Sequence, residues 1–144
     1  MSYTPSLTHE LGNISVRLSN LNQHMELLGA TQEAVTLYQS LVDNNPTSYT
    51  PDLAHELGNI SVQLSNLNWH MESISATQES VSLYQSLVDT NPASYTPDLA
   101  CELSNLGIQL SNLNWHVESL GVTQESFSLH EALVIENHAL YSSK

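Results

Sequence analysis

A 46-residue period runs through the chain and leaves little room for any fold but a repeat array. Pro5, Pro51 and Pro97 are 46 residues apart, as are Tyr3, Tyr49, Tyr95 and Tyr141, and Asn20, Asn66 and Asn112. Units 5–50 and 51–96 differ at 11 of 46 positions. The third, 97–142, diverges more but keeps SNLNWH and TQES. The three units run from residue 5 to 142 with no linker between them, so the chain, 1–144, reads as one array.

Each unit reads as two helices. In the middle unit Thr50 is a candidate cap, Pro51 suits a first turn, and Asp52 complements the positive end of the dipole. Leu53, Leu57, Ile60, Leu64 and Leu67 recur at helical spacing, which predicts helix A over roughly 52–67. Asn68 tolerates positive φ and supplies the stop. Met71, Ile74, Val81, Tyr84 and Val88 then mark the apolar face of helix B, roughly 70–90, which ends before Asn91-Pro92. Residues 91–96 are expected to be a short connector. A two-helix unit cannot bury both faces alone, so the units must stack. The expected fold is all-α: a right-handed α-solenoid of three helix-turn-helix repeats.

The string P-D-L-A-x-x-L-x-N-I-S-x-x-L-S-x-L-N-x-x-x-E-S, followed by T-Q-E-S-V-S-L-Y, resembles a tetratricopeptide repeat of the long-period form found in bacterial and fungal multi-repeat proteins. The resemblance spans the chain. Small residues at Ser61, Ser73 and Ser80 suit close approach of helices A and B. Departures are the turn residues Asn22, Asn68 and Asn114 in place of glycine, and Leu27 where the other units have Ser73 and Ser119.

The resemblance implies a concave face lined by helix A that binds protein or peptide. Carried over, that face presents His9, Asn13, Val16 and Asn20 in the first unit, and His55, Asn59, Val62 and Asn66 in the second. In the third it presents Asn105, Ile108 and Asn112, with Cys101 in the histidine column. Amide side chains both donate and accept, so stacked asparagines suit an extended backbone of any sequence. Composition bears on the partner: 2 Lys+Arg against 15 Asp+Glu give a net charge of −13. A neutral or basic protein segment fits that charge. Only Arg17 and Lys144 are basic, which argues against nucleic acid and an anionic membrane surface. No apolar run reaches membrane-spanning length, and MSYTPSLTHE shows no secretory signal.

No catalytic, cofactor or metal site is expected. Ser, His and Glu recur with the period, whereas a catalytic constellation is asymmetric. His24-x-Glu26, His70-x-Glu72 and His116-x-Glu118 place their side chains on diverging sides of a helix, a poor chelate. Cys101 has no cation in sequence reach to activate it. Asn13-Ile-Ser15 and Asn59-Ile-Ser61 fit the glycosylation pattern but fall inside helix A. Trp69 and Trp115, at the start of helix B, read as packing residues.

The period reaches both ends with no polar capping helix, which fits either exposed end faces or a piece cut from a longer array. Leu7, Leu11, Ile14 and Leu18 at one end, and Phe127, Leu129, Leu133 and Val134 at the other, are expected to form complementary faces. These would support head-to-tail association into a homo-oligomer or polymer. The primary expectation is thus a non-enzymatic interaction scaffold. The alternative is a structural subunit whose function is the filament or fibre itself.

Overall fold

The computed structural model describes the backbone of residues 3–142 and the side chains of residues 13–138. Five helices follow one another: α1 (Tyr3–Asn44), α2 (Pro46–Asn66), α3 (His70–Thr90), α4 (Pro92–Asn112) and α5 (His116–Ser142). No strand occurs among the described residues. The main packing runs in chain order, α1 on α2, α2 on α3, α3 on α4 and α4 on α5. The second and third units are helical pairs. The first is a single helix of 42 residues, about 63 Å long at 1.5 Å per residue.

The turn chemistry explains the difference. Asn68 and Asn114 adopt φ of 62° and 64°. Behind them the Trp69 N–H reaches the Leu64 carbonyl and the Asn68 N–H the Ser65 carbonyl, each at 2.9 Å. Trp115 and Asn114 repeat both bonds to Leu110 and Ser111. This is a Schellman closure, which favours an apolar side chain at the position Trp69 and Trp115 hold. The first unit has Gln23 there, a good helix former, and Asn22 stays helical. The pairing surface differs too. Ser73 is fully buried between α2 and α3, its Oγ donating to the Ser61 carbonyl at 2.7 Å. Leu27 occupies the equivalent site in the first unit and is 53 % exposed. A leucine in a gap sized for serine would hold the two helices apart. The expected three helix pairs are therefore two pairs and one continuous helix.

Helix starts also differ from expectation. Asn45, not Thr50, caps α2, and Asn91 caps α4, their side chains accepting from the Ser48 and Ser94 N–H groups. Pro46 and Pro92 fill the first turn, where the missing N–H costs nothing. The expected connector is thus helical, and Pro51 and Pro97 lie inside helices. Each leaves one carbonyl four residues back without its helical donor. Helix B of the middle unit keeps its expected bounds. Met71 departs from the buried face and is 56 % exposed at the start of α3.

Two apolar clusters hold the stack. Leu28 and Val35 of α1 meet Leu53, Leu57, Ile60 and Leu64 of α2. Ile74, Val81 and Tyr84 of α3 meet Leu99, Leu103, Leu106 and Leu110 of α4. Between paired helices lies a buried polar seam. Ser80 Oγ donates to the Ala54 carbonyl, and Ser126 Oγ to the Ala100 carbonyl, both at 2.8 Å. Thr77 Oγ1 bonds Ser61 Oγ at 2.7 Å. Small hydroxyls let the helices approach and satisfy one another, each bond worth about 1 kcal/mol net.

Candidate functional site

The A-type helices α2 and α4 lie side by side and enclose a shallow recess of about 170 Å³, lined by Val62, Ser65, Asn66, Asn105, Ile108, Gln109 and Asn112. Five of these are residues the sequence assigns to the concave face: Val62, Asn66, Asn105, Ile108 and Asn112. Val62 and Ile108 are 52 % and 61 % exposed, an apolar strip open to solvent. Asn66 and Asn112 flank it at the C-terminal ends of their helices. His55 and Asn59 are exposed on α2 but do not line the recess.

The first unit does not complete the columns. Residues 13–23 are all exposed, so Asn13, Val16 and Asn20 project with the first half of α1 away from the packed helices. The His9 side chain lies outside the described residues. The expected three-rung ladder therefore has two described rungs, because the helix that would bring the third beside α2 never folds back.

Sequence alone does not single out Gln109. Its Nε2 donates to Ser61 Oγ at 3.0 Å, tying α4 to α2 beneath the recess. Gln63, its equivalent in the preceding unit, bonds a different partner, donating to Thr31 Oγ1 on α1 at 2.8 Å. The Oε1 atoms of both glutamines are buried without a partner. The 46-residue spacing of Gln63 and Gln109 is the available signal, but an exposed glutamine would recur in the same way.

Acidic residues are set between the helices as well. Glu102 packs over Gly58, where an added Cβ would sit 2.7 Å from Glu102 Oε1. Its Oε2 is buried and unpartnered. Burial raises the Glu102 carboxyl above its ordinary range; nearby His55 opposes this and Asp98 adds to it. Burial, followed by the Asp98 and Glu102 charges, pushes the Tyr84 phenol up to about 12. Cys101 is exposed and free. Its thiol is raised by partial burial and then by Glu102 and Asp98, away from thiolate chemistry. Among the described residues no group of three or more His, Cys, Asp or Glu side chains is placed to hold a metal ion. No described helix is long and apolar enough to cross a membrane.

The end faces are open. Ile14 and Leu18 are 48 % and 55 % exposed, and Phe127 and Val134 are 67 % and 66 % exposed. Leu129 and Leu133 are half-buried, and the Leu7 and Leu11 side chains lie outside the described residues. Leu21 and Leu120, not assigned to these faces from sequence, are exposed too.

No protein-family model matches the chain, and no curated protein matches it.

Proposed function

We propose that the chain is a non-enzymatic, tetratricopeptide-like scaffold, a right-handed solenoid that binds an extended protein segment along its A-helix face. The recess between α2 and α4 carries this reading: an exposed Val62/Ile108 strip bordered by amides that donate and accept. An apolar side chain of the ligand would rest on the strip while Asn66, Asn105 and Asn112 hold its backbone. The net charge of −13 favours a neutral or basic segment and disfavours nucleic acid. Selection of a random-peptide library on the immobilised protein tests this. Enriched peptides should lose at least about tenfold in affinity on Ile108→Asp, a loss of about 1.4 kcal/mol. No enrichment, or equal binding to the variant, would contradict the groove.

A second reading is favoured by the uncovered apolar faces of α1 and α5: self-association head-to-tail, with the polymer as the function. Assembly into filaments without a ligand would favour it, and a persistent monomer with a selective groove would favour the first.

A further inference from the structure

The molecule contains its own example of how an A-type helix packs on the B-type helix before it. On α2, Leu53, Leu57, Ile60 and Leu64 are 3–8 % exposed against the second half of α1. On α4, Leu99, Leu103, Leu106 and Leu110 are 2–6 % exposed against α3. The first half of α1 carries the same series, Leu7, Leu11, Ile14 and Leu18, yet Ile14 and Leu18 are about half exposed. The acceptor surface is open in the same way. Ile74 and Val81 of α3 are 3 % and 7 % exposed under α4, whereas their α5 equivalents Leu120 and Phe127 are 59 % and 67 % exposed. Among the described side chains, residues 13–23 of α1 and the outer face of α5 are both uncovered.

We propose that residues 3–23, the first half of α1, dock on the outer face of α5 of a second copy of this chain. The proposal rests on the self-association reading and supplies its contact. In the register of α2 on α1, Gln63 meets Thr31. In the same register Arg17 falls opposite Thr123 of the second copy. Arg17 replaces that glutamine and is one of two basic residues in the chain. Thr123 lines an open recess on α5 with Phe127 and Glu131, and Glu131 stands where the other units have Gln39 and Gln85. Arg17 would then rest at Thr123, with Glu131 about 12 Å further along α5.

The chain exposes 9558 Å², against about 7,400 Å² for a compact monomer of 15.9 kDa, as expected of an open stack of helices. Because the arm of one copy fills the α5 of the next, the contact is heterologous and propagates or closes into a ring.

Sedimentation velocity on the full-length protein, Leu18→Asp, Phe127→Asp and their equimolar mixture tests the docking. Both substituted side chains are exposed, so circular dichroism should be unchanged. Arg17→Glu serves as a milder arm variant, expected to weaken assembly several-fold. The wild type should gain mass with concentration and each variant should be monomeric. The mixture should form a 1:1 pair, since one variant keeps a working arm and the other a working acceptor. Wild-type assembly that survives in both variants would overturn the arm contact but leave self-association standing. Assembly lost in Leu18→Asp but kept in Phe127→Asp would mean that arm pairs with arm, and would also overturn it. A wild type that stays monomeric at every concentration would overturn self-association altogether.

Discussion

At the scale of single residues, the gap at Ser73 is the sharpest constraint. Its side chain is fully buried and bonded to the Ser61 carbonyl, so Ser73→Leu should cost about 1–3 kcal/mol from overpacking. Thermal unfolding should fall by roughly 2–4 °C per kcal/mol in a chain of this size. Glu102 gives a pH-dependent prediction. Its native carboxyl is raised, mainly by burial, so the native state binds the proton more tightly than the unfolded state. Stability is therefore lost as pH rises through the native pKa. Glu102→Gln should raise the melting temperature at neutral pH, and the gain should shrink as pH falls towards the unfolded value of 4.5. An unchanged difference across that range would rule out the buried carboxyl as its cause. That Val62, Asn66, Asn105, Ile108 and Asn112 share one recess follows the A-helix face that the family resemblance implies, and the period places the residues of the two units in register. Glu102 was not legible in sequence, because its burial depends on Gly58 across the helix boundary, and sequence spacing does not report that approach.

At the scale of elements, the extent of helix B of the middle unit was legible, and the A helices were read too short. Pro51 and Pro97 look like helix starts, but the stronger signal is Asn followed by Pro one turn earlier. There the amide cap and the prolyl N1 position act together. Asn91→Ala should cost about 1 kcal/mol, since the cap bond to the Ser94 N–H is lost. Denaturant unfolding would measure it; no change would mean that the α4 start is held by packing alone. The continuous α1 was harder to see. Leu27 was visible as a departure, and Gln23 stands where the other units have Trp69 and Trp115, yet each difference is small in isolation. Only the Schellman closure behind Asn68 and the serine-sized gap under Ser73 show what the two departures remove.

On the scale of the whole molecule, the repeat is both the scaffold and the source of its open surfaces. Two stacked units make the recess, and the continuous α1 leaves residues 13–23 exposed, as is the outer face of α5. The charge of −13 sets a background of repulsion between copies, so apolar docking of the arm should strengthen with added salt. All of this depends on α1 remaining one helix. The direct measurement is the distance between spin labels at Asn13→Cys and Glu33→Cys, with Cys101 replaced by serine and the labelled chain diluted in unlabelled protein. Twenty residues of continuous helix separate the two backbone sites by about 30 Å. A folded-back hairpin would bring them to roughly the 8–10 Å of packed helix axes. The long distance is expected in the otherwise unaltered chain, with a shift towards the short one when Gln23→Trp and Leu27→Ser restore the turn and the gap. A short distance without those two substitutions would contradict the open arm and the docking built on it.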